Sequence, residues 1–334
     1  MKDVLVTVPF ASELITQLRA ISDQYTIQQR AFSDEWPEDF TSPAEIIYVA
    51  SAVPRPSQVP NLRWMQIHWA GVDHLRSTAI WQTDVTITTA SGVHAPNIGQ
   101  YTVAQLLVWA NRIPAWLDHQ RRKEWPTNGR WDTFVPRELR DQTLGILGYG
   151  SIGREIARLA KAFGMQVLVT KRNARQLHDD GYTVPGTGDP EGTKADRVYP
   201  TEATRSMVAE CDFVVATLPL TGQTRTLIDA EMFAAMKDTA YFINVGRGEL
   251  IDQEALIAAL EKGQLAGAGL DVFAEEPLPE DNPLWEMDNV VISPHISGFT
   301  RHYDRRAINL FIENLRRYLD GQTLLNKVDR DAGY

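Results

Sequence analysis

One stretch, from Thr143 to Ala157, limits what this chain can fold into more than any other. Thr143-Leu144-Gly145-Ile146-Leu147 has the length and apolar character of a buried strand. Gly148-Tyr149-Gly150-Ser151-Ile152-Gly153 follows, and then apolar residues at helical spacing, Ile152, Ile156, Leu159 and Ala160. G-x-G-x-x-G alone is a weak signal. Set between a strand and a helix, with a second apolar run at Gln166-Val167-Leu168-Val169-Thr170, it marks a dinucleotide site. Gly148 permits the tight turn, Gly150 lets a pyrophosphate approach the backbone, and Gly153 lets the helix pack close to the strand. The helix start presents unpaired N–H groups and a positive dipole end to the phosphates.

With 334 residues the chain has room for two domains. A formal net charge of -10 argues against nucleic acid or an anionic membrane as partner. The single cysteine, Cys211, rules out an intrachain disulfide and any cysteine-rich metal site. It reads as a core residue rather than a nucleophile. The histidines at 68, 74, 94, 119, 178 and 302 show no paired ligand spacing, so no metal is expected. Val4-Leu5-Val6-Thr7-Val8 opens the chain as a strand with no basic-then-apolar leader, no apolar run spans a bilayer, and Asp331-Ala332-Gly333-Tyr334 matches no lipidation or peroxisomal tag. A cytoplasmic enzyme is the expectation.

Strands are predicted at 3–8, 45–50, 63–68 and 85–89, with an amphipathic helix over 11–21, which suggests a small parallel α/β unit. A long helical pattern runs from Asn97 to His119 toward the glycine turn. Beyond it, strands at 143–148, 166–170, 212–217, 240–245, 266–271 and 289–292 supply the six of a doubly wound dinucleotide domain. A last helix from Tyr303 to Leu319, apolar at Ile308, Phe311, Ile312, Leu315 and Leu319, is expected to pack back on the N-terminal part. The segment 173–200, rich in Gly, Pro, Asp and Thr, is longer than a usual connection. It reads as a solvent-exposed insertion, or alternatively as a flap over the adenosine end of a cofactor.

Together these segments resemble the D-isomer-specific 2-hydroxyacid dehydrogenase family. The residues that carry the resemblance are Ala70-Gly71-Val72-Asp73, the glycine turn, Leu218-Pro219-Leu220-Thr221, Asn244-Val245-Gly246-Arg247-Gly248, Gly269-Leu270-Asp271-Val272-Phe273 with Glu276-Pro277, and Ser293-Pro294-His295-Ile296-Ser297-Gly298. The wording Ala-Gly-Val-Asp-His is similar to the glyoxylate/hydroxypyruvate reductase branch. The resemblance implies an α/β fold: a doubly wound Rossmann domain over 98–299 inserted into a smaller flavodoxin-like α/β substrate domain, 1–97 plus 300–334. It also implies a homodimer with the segment before the glycine turn at the interface.

Reduction of a 2-oxo acid needs a hydride, a proton for the carbonyl oxygen and a cation for the carboxylate. His295 follows the last strand, at the carboxyl end of the sheet where ligands of such folds bind. It is assigned as the general acid, with Glu276 as the carboxylate that favours an imidazolium. Arg247, glycine-flanked just after a strand, is suited to grip a carboxylate in a planar bidentate way, the glycines leaving room for a ligand. By resemblance, Gly71 and Val72 add N–H donors to the carboxylate. Asp271 holds the nicotinamide carboxamide, and Thr170, Leu218, Pro219, Val245, Gly246, His295 and Gly298 line the cofactor. Glu275 is expected to face solvent. Trp285 either walls the pocket or packs in the core.

An NAD site carries an acid about 20 residues after the glycines. Here the second strand ends Thr170-Lys171-Arg172-Asn173, and no acid occurs until Asp179. Lys171 and Arg172 can pair with a 2′-phosphate, so NADP(H) is expected over NAD(H). Gln105 stands where many family members carry an acid, and 173–200 has no counterpart in the compact members. A formate-dehydrogenase-like reaction is disfavoured because those relatives carry glutamine at the position of Glu276. A dinucleotide-sensing corepressor or other binding protein on the same scaffold is the alternative to an enzyme.

Overall fold

The computed structural model describes residues 1–333, apart from the side chain of Asp132. Tyr334, the end of the terminal segment read above, lies outside the described residues. The chain divides into two compact units. The first comprises Met1–His94, Asp180–Val184 and Thr300–Tyr334, and the second Ala95–Asp179 and Pro185–Phe299.

In the first unit, β1 (Lys2–Val6), β2 (Tyr25–Gln29), β3 (Ile46–Val49), β4 (Trp64–Ile67) and β5 (Thr86–Thr88) form a parallel sheet in the order β2-β1-β3-β4-β5. That is the order of flavodoxin-like doubly wound sheets. The strand at 25–29 escapes the sequence reading because Thr26, Gln28 and Gln29 break the apolar run. It is an edge strand whose last residues are exposed, so it needs no continuous apolar character. By contrast β3 and β4 are buried throughout.

The helices are, in chain order, α1 (Ser12–Arg19), α2 (Ala95–Ala110), α3 (Ile113–Arg122), α4 (Arg130–Phe134), α5 (Ser151–Ala162), α6 (Thr204–Val208), α7 (Ala230–Ala235), α8 (Gln253–Glu261) and α9 (Tyr303–Leu319). The terminal helix α9 packs as expected: Ile308, Phe311, Ile312 and Leu315 share one core cluster with Val4, Val6, Ile15 and Leu18. The long pattern from Asn97 to His119 is in fact two helices. Arg112 takes a left-handed conformation (φ 51°) between them, and Pro114 fits the first turn of α3 but not a helix interior.

The second unit holds β6 (Thr143–Leu147), β7 (Gln166–Thr170), β8 (Arg197–Tyr199), β9 (Phe213–Ala216), β10 (Tyr241–Asn244), β11 (Gly267–Leu270) and β12 (Val290–Ile292) in the parallel order β12-β11-β10-β9-β6-β7-β8. The order reverses between β6 and β9, the switch point at which such sheets bind ligands. All six strands read from the sequence are present. The seventh, β8, is a three-residue edge strand at the end of the long segment, too short to show in the sequence pattern.

That segment is solvent-exposed only in part: Asn173, Arg175, Gln176 and His178 are exposed, whereas other stretches pack into the two units. Residues 180–184 belong to the first unit, where Tyr182 packs with Ala90, Val93, Ala307 and Leu310, and its N–H donates to Asn326 Oδ1 at 3.0 Å. In the second unit Gly188, Asp189 and Gly192 are buried. A polar, glycine-rich composition suggests exposure throughout, but Asp179, Gly188 and Asp189 find protein partners.

Candidate active site

The glycine turn follows β6. Gly148 has φ 98°, a left-handed conformation that favours glycine. Its N–H donates to Thr170 Oγ1 at 3.1 Å, and its carbonyl accepts from Thr217 Oγ1 at 2.8 Å. Thr170 therefore holds the turn from the end of β7. A Cβ on Gly153 would lie 2.2 Å from the Gly148 carbonyl oxygen, whereas one on Gly150 would meet nothing within 4 Å. The first helical turn thus needs glycine for packing at 153 and stays open at 150, at the N-terminus of α5. An open, donor-rich helix start of this kind fits a dinucleotide pyrophosphate.

Arg247, Asp271 and His295 follow β10, β11 and β12, so three adjacent parallel strands deliver them to the carboxyl end of the sheet. His295 Nδ1 lies 2.7 Å from Glu276 Oε2, and Glu276 Oε1 accepts from the Phe273 N–H at 3.0 Å. The bond at Nδ1 aims the opposite ring nitrogen, Nε2, away from the carboxylate, and the imidazole is half-exposed. His295 itself has φ 53°, a conformation a non-glycine residue keeps only when its surroundings fix it.

What fixes it is Asp271. This fully buried carboxylate accepts from Ser293 Oγ (2.5 Å), the Ile296 N–H (2.9 Å) and the Ser297 N–H (2.9 Å). The His295 N–H donates to the Asp271 carbonyl at 2.8 Å. Both carboxylate oxygens thus hold the His295 loop. Asn97 grips the same loop through the Ser297 and Phe299 carbonyls at 2.6 and 2.8 Å.

Sequence reasoning missed the support behind this loop. Tyr101 Oη lies 2.6 Å from Ser293 Oγ, and Gln105 Nε2 donates to Tyr101 Oη at 2.8 Å. Tyr101 and Gln105 stand one turn apart on α2, so the signal was their i,i+4 spacing. Gln105 Oε1 is buried without a hydrogen-bond partner and lies against Gly269, where a Cβ would come within 2.7 Å of it.

Arg247 sits in a turn bracketed by the buried Asn244, whose side chain accepts from the Gly246 N–H and donates to the Arg247 carbonyl. Its flanking glycines lie close against protein. A Cβ on Gly248 would overlap the Phe273 backbone at 1.8 Å, and one on Gly246 would press on Leu250 at 2.8 Å. Val245 and Gly246 are buried beside this turn, Leu218 is half-buried, Pro219 is exposed after β9, and Gly298 is half-buried at the end of the His295 loop. Gly71 and Val72 follow β4 in the first unit, with Val72 buried.

Glu275 is exposed. Trp285 is no core residue: it is 51% exposed and its indole N–H donates to the Pro279 carbonyl, while the adjacent Leu284 is buried. Cys211 is buried, and burial pushes its thiol up to about 12, which keeps it from acting as a nucleophile at neutral pH. Lys171 is half-buried and Arg172 exposed. The Lys171 ammonium is held below its ordinary value, first by burial and then by the Arg154 charge, with Asp179 pulling the other way. Asp179, the nearest acid in sequence, lies 3.1 Å from Arg154 Nε.

Residues 103–297 match the family model "D-isomer specific 2-hydroxyacid dehydrogenase, NAD binding domain". The chain is 32% identical over 280 residues to a glyoxylate reductase of Aeropyrum pernix, covering 83% of this chain and 79% of the relative. It is 33% identical over 276 residues to glyoxylate/hydroxypyruvate reductase B of Salmonella newport, 82% of this chain and 80% of that one. Among solved structures, a D-isomer specific 2-hydroxyacid dehydrogenase of Xanthobacter autotrophicus in complex with NADPH and MES aligns with TM-score 0.81 at 29% identity, covering 99% of this chain and 100% of that one. An NADPH-dependent glyoxylate/hydroxypyruvate reductase of Sinorhizobium meliloti with NADP and sulfate aligns with TM-score 0.80 at 25% identity over 100% of both chains. Matched over more than half its length by the family model, and across two parallel α/β units by these relatives, the chain belongs to the D-isomer-specific 2-hydroxyacid dehydrogenase family.

Proposed function

We propose that this protein is an NADP(H)-preferring reductase of a small 2-oxo acid of the glyoxylate or hydroxypyruvate type, yielding the D-2-hydroxy acid. The observation that carries the reading is the 2.7 Å bond from His295 to Glu276 on a loop fixed by a buried aspartate. A nicotinamide held on the second unit supplies the hydride. His295 Nε2 gives its proton to the carbonyl oxygen as negative charge develops there, and the Glu276 carboxylate both orients the ring and stabilises the charged imidazolium that donates. Arg247 grips the substrate carboxylate through its guanidinium. On the first unit, the N–H groups of Gly71 and Val72 are carboxylate donors.

For the cofactor, the open helix start at Gly150 and the turn residues Gly148, Tyr149, Ser151, Ile152 and Gly153 would hold the pyrophosphate, with Leu218, Pro219, Val245, Gly246 and Gly298 along its length. Asp271, fully buried and already accepting three donors, would act through the loop it holds rather than by touching the carboxamide. Lys171 and Arg172 after β7 favour a 2′-phosphate, and the ion pair with Arg154 takes up the charge of the acid that would otherwise repel it. The relatives' glyoxylate and hydroxypyruvate names support the substrate class, and the NADPH and NADP complexes support the cofactor. A homodimer is proposed on the family's habit.

Steady-state turnover of glyoxylate and hydroxypyruvate with NADPH and with NADH tests this. The expected result is a kcat/KM at least about tenfold higher with NADPH, since one charge-assisted bond to a phosphate contributes about 1.5–3 kcal/mol. NADH equal or ahead overturns the cofactor preference. Nucleotide binding without turnover of any 2-oxo acid favours a dinucleotide-sensing protein instead.

A further inference from the structure

Near its start α5 carries two consecutive charged residues, Arg154 and Glu155, each only 2% exposed. The long segment after β7 bonds to both, and Glu155 also lies against α2, where a Cβ on Gly99 would come within 2.8 Å of its Cγ. Glu155 Oε2 accepts from the Gly188 N–H at 2.6 Å, and Glu155 also forms a two-pronged pair with Arg158 at 2.6 and 2.8 Å. Arg154 donates to the carbonyls of Asp189 and Leu177, pairs with Asp179, and lies with its guanidinium 4.6 Å from the centre of the Tyr149 ring.

Asp189 is the centre of this covering. It is 2% exposed, and its carboxylate accepts from the Thr193 N–H (2.9 Å), Thr193 Oγ1 (3.2 Å) and the Lys194 N–H (2.9 Å), which close its own turn. Its remaining contact reaches out of the segment, to Tyr149 Oη at 2.5 Å. Tyr149 is the residue between the first two glycines of the dinucleotide turn. Burial alone would raise the Asp189 carboxyl, but the bonds from Tyr149, Lys194 and Thr193 outweigh it and hold it below its ordinary range. The carboxylate is therefore the form the site is built around.

The turn is thus held at two successive residues by different elements. Gly148 is pinned by threonines at the ends of β7 and β9, and Tyr149 by the long segment, while Gly150 beyond them is open. We infer that residues 185–195 form a clasp that fixes the dinucleotide turn in its binding shape, with Asp189, acting through Tyr149, as the positioning residue. This rests on the reading that the turn binds a nicotinamide dinucleotide. A turn already ordered in the free protein spares binding the entropy of ordering it, so the clasp acts on cofactor affinity. Asp189 touches no reacting atom.

The test uses the full-length protein and the variants Asp189→Asn, Tyr149→Phe and the double variant. Dissociation constants for NADPH are measured by fluorescence titration without 2-oxo acid, beside hydrogen exchange over 147–153 and steady-state kinetics. Each single variant is expected to weaken NADPH binding about tenfold, and the double variant no more than Asp189→Asn alone, because the Tyr149–Asp189 bond is already disturbed in it. Exchange over 147–153 should quicken, and for Asp189→Asn the KM for NADPH should rise while kcat changes less than about twofold. Should Asp189→Asn fail to fold, Tyr149→Phe, which keeps the ring and removes only the hydroxyl, decides the matter. Variants that lose thermal stability but bind NADPH as the wild type does overturn the clasp alone. A wild type that binds neither NADPH nor NADH overturns the dinucleotide reading and the clasp with it.

Discussion

Asp271 and Asp189 are both buried carboxylates, 0% and 2% exposed, and each gathers the donors of a loop. Asp271 takes the Ser293 hydroxyl and two backbone N–H groups of the loop that carries His295. Asp189 takes two backbone N–H groups and the Thr193 hydroxyl of its own turn, then reaches Tyr149 in the glycine turn. The first organises the loop proposed to move a proton, the second the turn proposed to hold the cofactor. The same device, a desolvated carboxylate satisfied by several N–H and O–H groups, thus serves two different steps. A fault in each should show in a different constant.

The largest effect expected separates the two completely. His295→Ala removes the proposed proton donor and should lower kcat about 10²–10⁴-fold, the usual contribution of a positioned general acid. NADPH affinity should stay near that of the wild type, because the clasp is untouched. A variant that keeps its turnover takes His295 out of the acid role.

Asp271→Asn comes next. An amide presents donors where the structure supplies donors, so at least one buried N–H of the 293–297 loop loses a charged acceptor, a loss of about 1.5–3 kcal/mol. Thermal unfolding should come several degrees earlier, and kcat should fall about 10²-fold as His295 drifts from its position. If kcat holds while stability falls, Asp271 is a structural residue and the parallel with Asp189 fails on the catalytic side.

Ser293→Ala is the mildest. It removes one bond to Asp271 and one to Tyr101 but leaves both backbone N–H bonds of the loop, so kcat should fall about three- to tenfold. A loss as large as that of Asp271→Asn would shift the weight from the carboxylate to the Gln105–Tyr101–Ser293 relay.

The two aspartates also differ in how far a reader of the sequence can find them. Asp271 lies in a motif, directly after a strand, and its neighbourhood to His295 follows from the parallel order of the sheet. Even so, its hold on the loop was not legible, because which donors a carboxylate meets depends on how the following chain folds back. Asp189 sits among glycines, prolines and acids whose composition suggested exposure. It is buried together with Arg154 and Glu155, two charged residues of α5 whose covering no local pattern announces. Periodicity says which side of a helix faces the sheet; it cannot say that a distant segment will cover the other side.

What the sequence determined by itself is local. The glycine spacing, the apolar runs of β6, β7, β9, β10, β11 and β12, and the periodic face of α9 each depend on neighbours within one element, so composition and spacing suffice to specify them. Tertiary structure decided what depends on long-range partners. It decided that polar 25–29 and 197–199 are edge strands, that Arg112 breaks one helical pattern into two, and that the glycines beside Arg247 lie against the Phe273 backbone and the Leu250 side chain. It likewise decided the partners of Asp271 and Asp189. A buried charge persists only where several donors converge on it; all the donors to the Asp271 carboxylate, and the Tyr149 hydroxyl on Asp189, come from segments far apart in the chain, beyond the reach of any pattern in a single stretch.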